Sequence, residues 1–290
     1  MEDTTIERPQ TPKSLKFLYY TKLGGVVLRL LTRRWVSRLA GRYLDSRLSK
    51  AHIKKYIKRH GIDTSDYVEE KYKSFNAFFT RNIKPELRPF DTDPTAFVAP
   101  CDGKLSAYEI TADGEFEIKG FSYTVESLLK NAELAKKYDG GLCLVFRLTV
   151  SDYHRYRFID GGTVDGGVFI KGRLHTVQPA ALGARRVFTE NCREYAVLHT
   201  DNFGDVTQVE VGAMMVGRIV NTVKSGRFER GEQKGMFEFG GSTVVLLVEK
   251  DRVKITHGGG YVFETTRLGA ETPVKCGEKI GEKIERVTAE

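Results

Sequence analysis

The pattern of apolar and polar positions changes character near residue 90. Before it, apolar side chains recur among basic ones. Over residues 13–59, Lys16, Lys22, Arg29, Arg33, Arg34, Arg38, Arg42 and Arg47 are interleaved with Phe17, Leu23, Val26, Leu30, Trp35 and Leu39. Such interleaving predicts amphipathic helices. Further along, Gly61 stands where it would close one helix, and Thr64 or Ser65 where it would cap the next. Beyond residue 90 the apolar runs shorten to strand length and are bounded by Gly, Asp, Asn or Pro. Strands are expected at 97–99, 105–110, 115–118, 142–148, 162–170, 194–200, 205–211, 215–222 and 243–248. One helix interrupts them, capped by Thr124, with Leu128 and Leu129 facing inward. The pattern predicts an α+β protein: N-terminal helices over residues 1–90, then a mainly antiparallel β sandwich or barrel-like core over residues 91–290.

The run Val244-Val245-Leu246-Leu247-Val248 is apolar without a break, as in a strand covered on both faces. It opens with Gly240-Gly241-Ser242-Thr243. Two glycines allow a sharp bend directly before a hydroxyl. The stretch is therefore either a plain turn or a device for presenting Ser242.

Composition and charge narrow the field. A chain of 290 residues can bury a large core. Cys101, Cys143, Cys192 and Cys276 lack C-x-x-C spacing, which argues against a zinc site or a disulfide framework, fits a reducing compartment and leaves no metal expected. The formal net charge of +8 points to an acidic partner. The longest uncharged stretch of the basic segment, residues 23–28, is far too short to cross a bilayer. Basic helices with leucines and a tryptophan suit the membrane interface, although helices packed on the protein's own core read the same way. With no secretory signal in view, the cytoplasmic leaflet is the expected face. No nucleic-acid motif accompanies the charge, so nucleic acid is not an expected partner.

Three further stretches offer chemistry. In "APCDGKLS", Pro100 and Gly103 bracket a turn that holds Asp102 at the head of a strand, where Asp before Gly is also an ordinary turn residue. In "LTVSDYHRYRF", His154 is either a catalyst or a satisfied structural histidine. In "KGRLHTVQP", His175 follows a glycine turn and carries the same two readings.

Taken together, "KGFSYTVESLL", "APCDGKL", "LTVSDYHRYRF", "GRLHTVQP", "VGAMMVGRIV" and "FEFGGSTVVLL" resemble, in order and separation, the phosphatidylserine decarboxylase family from about residue 75 to about residue 254. The resemblance implies a precursor that cleaves itself. Ser242 attacks the carbonyl of Gly241, the amide becomes an ester, and elimination followed by hydrolysis leaves a pyruvoyl group as the cofactor on residue 242. The products are a large chain of residues 1–241 and a small chain of residues 242–290, held together as a heterodimer, and a higher oligomer is compatible with this. The resemblance further implies His154 as the base and Asp102 as the carboxylate that orients it. Phosphatidylserine is bound as a Schiff base, and loss of carbon dioxide gives phosphatidylethanolamine. An anionic phospholipid membrane, met peripherally on its cytoplasmic face, is the remaining partner.

One departure stands out. Many members carry a second histidine three positions after the first, where this chain has Arg157. The histidine roles then fall to His154 alone or are shared with His175, and Arg157 offers a planar cation to a substrate phosphate or carboxylate. Two rival readings remain. A serine hydrolase would need the G-x-S-x-G elbow that is missing here, and a lipoyl-like carrier would need a lysine at a hairpin tip.

Overall fold

The computed structural model describes residues 12–69, 71–214, 218–240 and 242–285. Its centre is the strand Ser242–Val248. This strand pairs with Leu142–Leu148 on one side and Gly204–Val211 on the other, antiparallel in both cases. The sheet continues through Gly103–Glu109 to Thr272–Val274 at one edge. In the other direction it runs through Arg193–Thr200 and Gly162–Val164 to Gly226–Phe228, and Val168–Ile170 also joins Arg193–Thr200. These nine strands form an open sheet, which corrects the barrel-like part of the expectation: the two edge strands do not meet.

Alternation along the central strand feeds two cores. Val245 and Leu247 pack with Val145, Val209, Leu128 and Phe188 on one face. Val244, Leu246 and Val248 pack with Phe146, Val206, Phe97 and Ile280 on the other. The second face is covered by a small sheet of Ala96–Val98, Lys279–Lys283 and Val253–Ile255. A further sheet, Ile219–Asn221, Gln233–Phe237 and Arg155–Arg157, leads into the central strand from its N-terminal side.

The N-terminal helices form as the apolar spacing predicts: α1 (Lys13–Tyr20), α2 (Lys22–Leu31) and α3 (Arg34–Asp45). The first two dock by hydrogen bonds. Tyr19 Oη accepts from Thr176 N at 3.2 Å, Tyr20 Oη donates to Ala180 O at 3.0 Å, and Leu174 N donates to Thr32 O at 3.2 Å. Their outer faces stay apolar and bare: Leu23 is 68% exposed and Trp35 51%, with Val26, Leu30 and Leu39 beside them. Arg33, Arg34 and Arg38 are exposed on the same helical region. Among the described residues, no helix is long and apolar enough to cross a membrane.

Several local expectations are revised. The helix capped by Thr124 is two helices, Val125–Leu129 and Ala132–Lys136, because Lys130 turns left-handed at φ 52° and Asn131 caps anew. Gly61 does close Ile53–His60 at φ 59°, but the next cap is Asp63, whose carboxylate accepts from Ser65 N. The expected strand 162–170 is split at residues 165–167. Of the expected strand 215–222, residues 215–217 lie outside the described residues and Ile219–Asn221 is a strand. Strand Gln233–Phe237 was masked in the sequence by a buried cation. Lys234 lies 2.7 Å from Glu210 and 3.0 Å from Asn221 Oδ1.

Because Leu246 is fully buried in the central strand, Leu246→Ala should lower stability by about 3 kcal/mol, read from the urea midpoint. Leu23→Ala on the bare helical face should change it by no more than about 0.5 kcal/mol.

Candidate active site

The segment leading to Ser242 is pinned residue by residue. Phe237 N donates to His154 O at 2.9 Å, and Glu238 N donates to Arg218 O at 3.0 Å. The Glu238 carboxylate also meets the Arg218 guanidinium at 2.9 Å. Phe239 N donates to Asn76 Oδ1 at 3.0 Å. Gly240 has φ 135°, a conformation that side-chain-bearing residues rarely adopt. Gly241 lies outside the described residues. Ser242 then enters the ladder opposite Leu148. Its side chain is completely buried, and Oγ has no hydrogen-bond partner among the described residues.

His154 is equally buried. Its Nδ1 lies 2.8 Å from Asp152 O. A carbonyl oxygen only accepts, so Nδ1 carries the proton and Nε2 is left as a bare lone pair. That Nε2 is buried and also without a partner among the described residues. Burial pushes the imidazole pKa down to about 3, opposed by the bond to Asp152 O and helped by the charge of Arg81, so the ring is neutral at physiological pH. Phe79 packs on the ring with centroids 4.1 Å apart. The Phe237–His154 bond and the Ser242–Leu148 pairing tie both ends of residues 148–154 to the two sides of the Gly240–Gly241 stretch, so His154 and Ser242 stand on adjoining segments. They are not hydrogen-bonded to each other. Each unpaired buried atom costs about 1–3 kcal/mol.

The other sequence-predicted residues stand elsewhere. The Asp102 carboxylate does not bond to the His154 imidazole. Its oxygens are taken by Arg88 Nε at 2.7 Å, Arg88 Nη2 at 2.5 Å and Cys276 N at 2.9 Å, while Asp152 O already occupies His154 Nδ1. Arg157 donates to Gly231 O at 3.3 Å and, through its amide, to Pro100 O at 2.8 Å. His175 is buried between Tyr19 Oη, 3.3 Å from Nδ1, and Glu190, 3.4 Å from Nε2. Burial, then the charges of Arg185 and Arg173, push its pKa down to about 4.

A cleft of about 490 Å³ opens beside Gly240, walled by Leu15 of α1, Leu148, Val177, Met214 and Phe239. Lys104 and Arg147 also line it. They sit directly opposite each other on adjacent strands, and Arg147 is in turn opposite Thr243. Like charges so placed repel. Glu271 neutralises Arg147 through two bonds of 2.8 and 2.5 Å, whereas Lys104 has no ion-pair partner among the described residues. An apolar cleft thus holds one surplus positive charge close to the start of the central strand. Alternation puts the Ser242 side chain on the face opposite this row. Sequence reasoning missed both cations, although Arg147 is the lone charge in a strand otherwise written Leu-Cys-Leu-Val-Phe-Leu, and such an interruption is a usable signal.

Comparison with known proteins identifies the family of the chain as a whole. The family model described as phosphatidylserine decarboxylase matches residues 75–282. The chain is 42% identical over 284 residues to phosphatidylserine decarboxylase proenzyme 2 of Clostridium acetobutylicum, covering 97% of this chain and 96% of the relative. It is 40% identical over 288 residues to the phosphatidylserine decarboxylase proenzyme of Clostridium botulinum, covering 97% of each. A third relative, the corresponding proenzyme of Clostridium novyi, is 40% identical over 285 residues, 96% of each. These matches set the chain among the carbon–carbon lyases. It belongs to the phosphatidylserine decarboxylase family. The serine hydrolase and carrier readings fall with that result.

The neutral histidines carry a pH consequence. Both have folded pKa values below the ordinary 6.5, so the unfolded chain binds more protons in acid. Stability should be complete above about pH 6.5 and fall as pH drops toward 4, by up to about 1.4 kcal/mol per pH unit for His154. His154→Gln should flatten that slope in urea unfolding measured across the range.

Proposed function

We propose that this chain is the proenzyme of a phosphatidylserine decarboxylase that cuts its own backbone between Gly241 and Ser242. The observation that carries this reading is the pair of dry, unpaired atoms, Ser242 Oγ and His154 Nε2, beside a segment pinned up to Gly240. His154 Nε2 takes the hydroxyl proton, and Ser242 Oγ attacks the Gly241 carbonyl carbon. The C–N bond breaks, and the nitrogen of Ser242 becomes an amine. Loss of the Cα proton then expels the Gly241 carboxylate, and water releases the nitrogen as ammonia. The large chain ends at residue 241 and the small chain begins at residue 242.

The residues around Ser242 suit a pyruvoyl group at that position, since a buried hydroxyl with no competing hydrogen bond is free to attack the carbonyl that precedes it. Such a ketone supplies an electrophile for the substrate amine and a sink for the electron pair left by departing carbon dioxide. Lys104 provides the free cation for the substrate's phosphate or carboxylate, and the apolar wall excludes water. Cutting removes the tether that holds residue 242 on the face away from the cleft. Asp102 acts as a positioning residue, tying Arg88 to the Cys276 amide across the two future chains. His154 remains the group placed to return a proton. His175 and Arg157 line no part of the cleft, and their substrate-binding role has no further support.

The bare apolar and basic face of α1–α3 docks the enzyme on an anionic membrane as a peripheral protein of the cytoplasmic leaflet. Leu15 lies on α1, so the cleft opens beside that same helical layer.

The purified protein should run as two chains, the small one having 290 − 241 = 49 residues and resisting Edman degradation because it lacks an amine. Ser242→Ala should stay whole and inactive. His154→Ala should stop or greatly slow the cut, and Asp102→Asn should slow it less. An intact wild-type chain that releases carbon dioxide from phosphatidylserine would overturn the reading.

Lys104→Gln should leave self-cleavage unchanged while raising KM for phosphatidylserine roughly tenfold, as expected for one lost charge-assisted contact. An unchanged KM would remove Lys104 from recognition of the substrate.

A further inference from the structure

A second pocket, of about 360 Å³, lies between α2 and the segment that carries Arg173, Arg185 and Glu190, apart from the cleft of Lys104 and Arg147. Arg29 of α2 borders it with Arg173 and Arg185. All three arginines are exposed, and none of their guanidinium groups has a hydrogen-bond or ion-pair partner among the described residues. The pocket's acidic group is Glu190, set against the buried His175 at 3.4 Å. His175 is neutral in the fold, so three cations face one carboxylate and the pocket carries a surplus of 3 − 1 = 2 positive charges.

Three forked cations gathered around one carboxylate still repel one another unless a further anion joins them, and the guanidinium fork matches phosphate oxygens. The surroundings say which phosphate. On α2 the residues Leu23, Val26 and Leu30 point bare to the outside, and nearby Arg34 lies over the exposed Phe169 ring at 5.3 Å. An anion held at the edge of an apolar face sits at the level of a lipid headgroup.

We propose that this seam binds the phosphate of an anionic phospholipid that is not itself being decarboxylated. It is a separate lipid site that fastens α2 to the body of the protein when the enzyme rests on a membrane. The proposal rests on the membrane reading of the helical face.

Flotation with phosphatidylcholine vesicles containing phosphatidylglycerol tests it. The wild-type chain is compared with the triple variant Arg29→Gln, Arg173→Gln, Arg185→Gln. A control variant, Arg38→Gln, Arg42→Gln, Arg47→Gln, loses the same charge elsewhere. All three should process to two chains alike, which shows that each has folded. The seam variant should bind at least about tenfold more weakly than the control, because a built site loses more than diffuse attraction. Equal weakening of the two variants overturns the proposal and leaves the membrane reading standing. Wild-type protein that ignores these vesicles overturns both. Release of wild-type protein by inorganic phosphate, at the vesicles' phosphate concentration and with sodium chloride of equal ionic strength without effect, would assign the seam to free phosphate and overturn the lipid assignment.

Discussion

Everything at this site depends on the enclosure of one strand. Ser242–Val248 is hydrogen-bonded along both edges and buried on both faces, so water is excluded from its first residue as thoroughly as from its middle. In that low-dielectric setting an unpaired hydroxyl and an unpaired imidazole nitrogen are costly, and only a large, well-packed core can tolerate them. The same dryness keeps His154 uncharged and its Nε2 lone pair available. Enclosure is therefore at once a stabilising feature of the fold and the condition for the chemistry proposed for it.

Buried ion pairs do the fastening around that strand. Arg88 and Asp102 bring their segment to the amide of Cys276, and Arg147 is gripped by Glu271. Both connections span the Gly241–Ser242 bond in sequence. Lys234 and Glu210 anchor the strand that precedes the bond to the main sheet. Such pairs contribute little net stability compared with apolar packing, but removing one partner leaves an uncompensated charge, which makes them strict about geometry. They suit a site that, on the proposed mechanism, has to keep its shape with a break in the backbone.

Much of this was legible in the sequence, for identifiable reasons. Strands 115–118 and 142–148 fall where Gly, Asp and apolar spacing put them, and the unbroken run after Ser242 is indeed covered on both sides. Thr124 and Gly61 act locally, so their caps could be read from their neighbours alone. What escaped depends on partners far away along the chain. Lys234 reads as a surface residue until Glu210 is brought beside it, and Asp102 reads as a partner for His154 until Arg88 and Cys276 claim its oxygens. The two cations of the cleft are neighbours only through strand pairing, which spacing in sequence does not reveal.

The Asn76 side chain links the last residue of α3 to the segment before Ser242: its Nδ2 donates to Asp45 at 2.8 Å and its Oδ1 accepts from Phe239 N, 163 positions away. Closing so long a loop costs conformational entropy before the contact repays it, so the clamp is expected to depend on the order of the chain between. A partly folded chain has the Gly-Gly-Ser-Thr stretch but neither the clamp on Phe239 nor a dry imidazole beside it. For the self-cleavage proposed above, sequence separation thereby acts as a safeguard in time, withholding the bond to be cut until the rest of the molecule is in place.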